Sequence, residues 1–543
     1  MDHIKQYIYT CCLLLFVISS SAQYRHSQFD PYDFNAKGDG KTLDTEAIQA
    51  AIDNCHRSGG GKVYLQGGHF RSGTIFLKDN VTLFIEAGAT LQASDDLDDF
   101  PSTVSNYPSY SKEMETLKAF IFAEGVSNIS IAGKGKIDGN GDHWVDGPYG
   151  SPSFSKRPRI LHLRGCQNIS VRDITLANSA SWVQSYQACF NLLIDGITVD
   201  SRENKDIEKE RYAEVPGRNT DGLDLVDCEK VRISNCYINS GDDAICLKSL
   251  SHEKACRDII ISNCVVSSNA SGIKIGTETS GRIEDISIQN CVVYDTRVDA
   301  LSFMTVDGAR MERITVSNLT CRNVKGSAIF IRLGNRNRTY RKNAVVNTPH
   351  LKDIIIDNIQ GTGISADYGC IIAGLKDIPV ENILISNVNL VFDGGGKAKD
   401  TFREIPENEQ SYPNGKIFGI LPTYGFYIRH ANNITLRDIQ LRTTSEDERP
   451  AVFCKDVCML RISGLMAGAS LNSPQHIRLL NTKDVTISQC FPKDPVPVFL
   501  SVEGEKSGGI VLINNRLKNA KTNLVLEERL ATNTVTEIGS LKH

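Results

Sequence analysis

The sequence carries no strong excess of either charge: 60 Lys and Arg stand against 64 Asp and Glu, a formal net charge of −4. Phosphate recognition needs a basic stripe, so nucleic acid is not expected as a partner. Beyond the first two dozen residues no apolar run approaches the ~20 residues that cross a bilayer, and no membrane span is expected in the mature chain. There is no Cys-x-x-Cys pair and no His-Glu-x-x-His, which argues against structural or catalytic zinc. Tryptophan occurs twice in 543 residues.

The one sustained apolar stretch is N-terminal. Lys5 precedes an apolar core from Ile8 to Ile18, and small residues at Ser20 and Ala22 suit cleavage after Ala22. Residues 1–22 are expected to be a signal peptide and residues 23–543 a single secreted or periplasmic domain. The short core argues against the alternative, a retained anchor. Cys11 and Cys12 have no small residues before them, so a lipoprotein is not expected. Fourteen of the 16 cysteines follow the leader. Export permits disulfides, yet Cys236, Cys264 and Cys291 recur at intervals of 28 and 27 residues, each directly after an Asn. That spacing suggests an inward ladder of buried thiols. Cys454 and Cys458 are a candidate disulfide.

What the chain has in abundance is a repeated phrase. Alternating β-branched residues lead into an Asn, Asp or Gly and then another apolar residue. Examples are Val231-Arg232-Ile233-Ser234-Asn235-Cys236, Ile259-Ile260-Ile261-Ser262-Asn263-Cys264 and Ile286-Ser287-Ile288-Gln289-Asn290-Cys291. Further copies start at Ile169, Leu193, Ile314, Ile354, Ile383 and Ile434, with a weak last one at Val485. Each reads as a short strand followed by a bend that needs left-handed backbone. No helical pattern separates the copies, which excludes βαβ crossovers. No series of two-residue hairpins is present either, which disfavours an antiparallel sandwich. The remaining solution is an all-β parallel β-helix, with coils stacked ~4.8 Å apart and asparagines bonded one above another. Such a stack needs its open end covered. The amphipathic segment Thr45–Asp53, running to Gly59-Gly60-Gly61, is expected to be a short N-terminal capping helix. Segments 201–217 and 392–416 are polar, lack the phrase and are expected to be loops over the sheet surface.

One region interrupts the phrase with carboxylates: Asn219-Thr220-Asp221-Gly222-Leu223-Asp224, then Gly241-Asp242-Asp243-Ala244. Asp221 and Asp242 are 21 residues apart, close to one coil, so Asp221 should lie beside Asp242 and Asp243. Carboxylates crowded in this way repel, and at least one should hold its proton at neutral pH. Glycoside hydrolysis needs such a protonated acid next to an ionised base. A solvated turn or a calcium site are the other readings, and calcium would want more oxygen ligands. Trp182 and Tyr186 either stack on a sugar or fill the core. His252 is expected at the surface. Gly38-Asp39-Gly40-Lys41-Thr42 is read as a turn, because no buried strand precedes it to make a phosphate loop.

These segments resemble glycoside hydrolase family 28, the polygalacturonases and related pectin-degrading enzymes. Asn219-Thr220-Asp221 and Gly241-Asp242-Asp243 look like its two signature segments. Phe34 to Gly40, Ile137-Asp138-Gly139-Asn140-Gly141, Arg157-Pro158-Arg159, Ser181-Trp182 and Tyr424 to His430 are similar too. The resemblance implies a right-handed, pectin-lyase-like solenoid with no metal and no organic cofactor, expected to act as a monomer on a poly- or oligosaccharide. It implies Asp242 as general acid and Asp221 and Asp243 as the pair that holds and deprotonates water, giving inversion. An inverting pair should stand roughly 6.5–9.5 Å apart.

Two departures bear on the substrate. The family's Gly-His-Gly has no histidine counterpart in Asn269 to Glu278, and its Arg-Ile-Lys aligns with Ser302-Phe303-Met304. Losing both cations removes charge-assisted bonds to a uronate. Lys274, Arg297 or Arg332 would have to compensate, with Asn219 and Trp182 completing the substrate-binding set. Three functions therefore compete. An inverting hydrolase of pectic polysaccharide is supported by the three aspartates, and an exo-glycosidase for rhamnose or galactose by the missing cations. A non-catalytic carbohydrate-binding β-helix would follow if the lost residues had disabled the site. A lyase ranks last, since it would need a Lys or Arg base and usually calcium.

Overall fold

The computed structural model describes residues 28–103, 118–146, 156–202, 219–340 and 344–541. The expected signal peptide and nearly all of the 201–217 loop lie outside these ranges. Every strand pairing between named strands among the described residues is parallel, as between Leu223–Val226 and Ile245–Ser249 or Ile245–Ser249 and Ile273–Thr279. The chain is a right-handed parallel β-helix, and three long sheets run its length.

The recurrent phrase forms one of these sheets. Val231 stacks on Ile259, Ile286, Ile314, Ile354, Ile383 and Ile434 in successive coils. These residues and their i+2 partners point inward and are buried, each contributing roughly 1.5–3 kcal/mol by leaving water. The register also reveals a coil that the phrase does not announce: Leu460 and Ile462 stack between Ile434 and Val485. There Gly464 stands where Asn or Asp marks most other bends.

The bends behave as the repeat predicts. Asn235, Asn263, Asn290, Asn318 and Asn358 all have φ between 55 and 57°. Each amide from Asn263 onward donates to the asparagine one coil earlier, at 3.2, 3.3, 2.9 and 2.7 Å. Cys236, Cys264 and Cys291 follow these bends as buried free thiols. Cys454 and Cys458 are also free, which overturns the candidate disulfide. Cys454 faces the core, whereas Cys458 lies beyond the left-handed bend at Asp456 with its thiol toward Asp484. Their side chains diverge, and a disulfide needs them to converge.

A helix spans Thr45–Arg57 and buries Ala47, Ile48, Ala51, Ile52 and Cys55. It packs on the first strands and covers the open end of the stack. At Asn290 an alanine would keep the left-handed φ, which costs a Cβ-bearing residue about 1–2 kcal/mol, and would remove two ladder bonds. Asn290→Ala should lose about 2–3 kcal/mol in urea unfolding, and Asn290→Gly distinctly less. Equal losses in the two variants would show that the left-handed backbone is not what selects asparagine.

Candidate active site

The site is built on the sheet containing Gln184–Gln187, Leu223–Val226, Ile245–Ser249, Ile273–Thr279, Leu301–Thr305 and Ile329–Leu333. Leu223, Ile245, Ile273, Leu301 and Ile329 stack inward, so the alternate residues of each strand face outward. Just before each strand, backbone bonds run from Gly222 to Asp243, Ala244 to Ser271, Gly272 to Asp299 and Ala300 to Ser327, at 2.9, 2.9, 3.0 and 2.9 Å. They align Asp221, Asp243, Ser271, Asp299 and Ser327 in one column. Gly222 is required there, because a Cβ would lie 2.6 Å from the Ala244 carbonyl oxygen and 2.5 Å from Ile238.

The register thus sets Asp221 against Asp243 rather than Asp242, with Asp242 alongside. One carboxylate oxygen from each of the three lies within 4.8 Å of the others. This is closer than the separation expected of an inverting pair, because the acids occupy adjacent coils at strand spacing.

Their surroundings differentiate them. Burial pushes the Asp221 carboxyl well up, with Asp224 and Asp242 adding to the effect. Burial raises Asp242 to about 6, helped by Asp243 and opposed by Lys274. For Asp243 burial also acts upward, but Lys274 and Lys248 outweigh it and hold the carboxyl below its ordinary value. Lys274 Nζ donates to Asp243 Oδ2 at 2.6 Å and to the Tyr412 hydroxyl at 3.0 Å. The Ser271 amide donates to Asp243 Oδ1 at 3.0 Å. The Asp242 carbonyl accepts from the hydroxyls of Ser240 and Ser268, which fixes the turn.

The remaining anticipated residues take varied positions. Asn219, at φ 52°, accepts from Arg157 at 3.1 Å and points its amide at Asp242 across 3.5 Å. Trp182 is buried between Arg159 and Lys248, 4.2 and 5.1 Å from its ring centre. Arg297 turns to Asn269 at 3.1 Å. Arg332 is buried and donates to the carbonyls of Gly374 and Glu407 at 3.2 and 2.7 Å. Lys274 is bound to Asp243, so it serves the acid cluster rather than standing open as a replacement anchor.

Several neighbours escaped the sequence reading. Lys248 lies 3.6 Å from Asp224 and 3.0 Å from Glu278. Asp224 is fully buried, neither of its oxygens accepts a hydrogen bond, and burial raises it to about 7 against the pull of Lys248 and Arg159. Asp224 stands in the quoted carboxylate segment and Glu278 ends the stretch that departs from the family, and only the coil register shows that they converge. Tyr412 and Lys416 sit in the polar 392–416 segment, which offers no motif.

That segment continues as a strap across the sheet. Arginines 332, 429, 449 and 478 donate to the carbonyls of Glu407, Ile405, Leu421 and Thr401 at 2.7, 3.2, 3.1 and 2.6 Å. Phe418 packs against Phe330 and beneath the guanidinium groups of Arg332 and Arg429. The strap closes one side of a cavity of about 120 Å³ lined by Asp242, Asp243, Ser271, Lys274, Met304, Tyr412 and Lys416, among others. Typical ligand pockets occupy ~300–1,000 Å³, so this one is small.

Two groups, Asp221–Asp242–Asp243 and Asp221–Asp224–Cys246, bring three potential metal ligands together. Neither suits a cation. Lys274 occupies the first, Lys248 borders the second, and burial keeps the Cys246 thiol protonated.

Residues 67–411 match the family described as Glycosyl hydrolases family 28. A probable polygalacturonase of Vitis vinifera is 27% identical over 380 residues, 66% of this chain and 73% of its own. An endo-polygalacturonase of Pectobacterium carotovorum subsp. carotovorum is 25% identical, covering 67% and 88%. Among solved structures, the exopolygalacturonase of Thermotoga maritima superposes with a TM-score of 0.56 at 23% identity, covering 68% of this chain and 88% of its own. The family 28 exopolygalacturonase of Yersinia enterocolitica gives 0.58 at 19%, covering 84% and 78%. Both share the fold.

Breaking a buried ion pair by removing one partner costs about 3–5 kcal/mol. Lys274→Met should destabilise the protein by that order at neutral pH, because Asp243 is left charged and buried. Asp243 is held below its unfolded value, so the stability it contributes is present above about pH 4 and is lost as pH falls through its folded pKa. The deficit of the variant should therefore shrink in acid. Thermal melts from pH 3 to 7 measure this, and a deficit independent of pH would mean that the pair is not the source.

Proposed function

The chain belongs to glycosyl hydrolase family 28, and from that premise we propose that it hydrolyses O-glycosidic bonds at chain ends of a pectic polysaccharide or an oligosaccharide derived from it. The observation that carries this reading is the division of labour between the two acids that line one cavity, with Asp221 beside them. Asp242 faces the cavity with its proton retained up to about pH 6, while Asp243 is held ionised by Lys274.

Asp242 is the general acid and gives its proton to the leaving glycosidic oxygen. Asp243 is the base: it takes a proton from water as the water oxygen bonds to the anomeric carbon. Asp221, protonated through burial, donates to that water and aligns it. Proton exchange with solvent then restores Asp242 and Asp243. The family resemblance supports inversion, while the carboxylate separation, shorter than an inverting pair is expected to have, counts against it. Action at chain ends is supported by the strap, which stands against Lys274 and walls one side of the cavity. A polymeric substrate also fits a chain exported by the leader expected at residues 1–22.

A second reading, a neutral terminal sugar, is favoured by one observation. Ser302 and Met304 carry no charge, and Ser302 is engaged with Asp299 at 2.9 Å.

Asp242→Asn is isosteric but has no carboxyl proton to give, and general acid catalysis contributes about 10²–10⁴-fold. Turnover should fall by at least a hundredfold with the melting temperature retained, and a variant keeping a tenth of wild-type activity would remove Asp242 from the role. The wild-type rate should decline as pH rises through about 6, where the acid loses its proton. On pectic substrate, reducing ends should accumulate with little drop in viscosity, and NMR should show the inverted anomer first. A rapid fall in viscosity would rule out action at chain ends.

A further inference from the structure

The cavity beside the acids contains two lysines, and they are not equivalent. Lys274 is neutralised by Asp243 at 2.6 Å. Lys416, carried by the strap, reaches only the backbone carbonyl of Arg297, at 3.0 Å. It has no carboxylate within ion-pair distance among the described residues. Asp299 is nearby, but its oxygens accept from the Ser327 amide at 2.8 Å and the Ser302 hydroxyl at 2.9 Å, beneath the cavity wall.

A sugar carboxylate entering this space meets Asp242 and Asp243, and an uncompensated anion there would be unfavourable. The sheet positions that align with the family's Arg and Lys hold Ser302 and Met304, and Met304 lines the cavity. The strap brings a cation to the same cavity from the opposite side. An exposed ammonium at the cavity wall, with spare donors and one carbonyl acceptor, suits a carboxylate partner.

We propose that Lys416 is a specificity-determining residue that anchors the carboxylate of a terminal uronic acid. This inference rests on the hydrolytic reading above and names its substrate class. The anchor is supplied by the strap instead of the sheet. Because the strap is fastened by four arginines and Phe418, removing the Lys416 ammonium leaves its path intact.

The test compares oligogalacturonides with their methyl esters, which lack the charge and add one methyl group. Wild-type KM should be about ten- to a hundredfold lower for the free acid, the range of a charged hydrogen bond. Lys416→Ala should bring the two KM values together with kcat changed little, and Lys416→Arg should recover part of the preference. Galacturonate binding to Asp242→Asn, measured by calorimetry with and without Lys416→Ala, separates the anchor from the chemistry. Loss of that binding in the double variant upholds the anchor even if no hydrolysis is found, which would sink only the catalytic reading. An unchanged acid-to-ester ratio in Lys416→Ala, or no binding of galacturonate by Asp242→Asn, overturns the proposal.

Discussion

Parallel hydrogen bonding from each coil to the next, at ~4.8 Å, is the constraint on which the molecule depends. It gives every residue a fixed neighbour one coil above and one below. The asparagines keep that register: each supplies a left-handed bend and an amide that reaches the bend before it. Because the stack has no freedom to slip, residues separated by a whole coil in sequence become side-chain neighbours. Asp221 and Asp243 meet in this way.

Crowding carboxylates at strand spacing would be unfavourable if the outward columns did not also interleave cations. Lys248 stands one coil beyond Val226, and Lys274 one coil beyond Cys246. Each lysine is tied to particular acids, so the cluster does not titrate as three equal groups. Asp243 receives the Lys274 ammonium, Asp221 faces Asp224, and Asp242 looks into the cavity. In a low-dielectric site such differences are large enough to separate acid from base.

The strap changes the meaning of the sheet's other cations. Arg332, Arg429, Arg449 and Arg478 are buried and engaged with backbone carbonyls, Arg449 and Arg478 also with the carboxylates of Asp447 and Glu503. They hold a segment of irregular backbone that would otherwise have unpaired carbonyls over an apolar surface. The same segment walls one side of the cavity and brings Tyr412 and Lys416 to it.

The sequence by itself determined the fold and the acid cluster, because both are periodic. β-branched alternation and the Asn after it repeat once per coil, and two aspartate segments nearly one coil apart have to stack. Where the period weakens, legibility fails: the coil at Leu460 has a single β-branched residue, Ile462, ahead of its bend and does not announce itself, and which of Asp242 and Asp243 stands directly opposite Asp221 waited on the exact register. Cys454 and Cys458 looked adjacent until the bend at Asp456 turned them apart. Only the tertiary structure decided which cation serves which group. Lys274, Arg332 and Lys416 are alike as residue types, and their roles depend on the path of an aperiodic strap. Its contacts join residues more than a hundred positions apart, Lys274 to Tyr412 and Arg297 to Lys416, and no local pattern encodes such a distance.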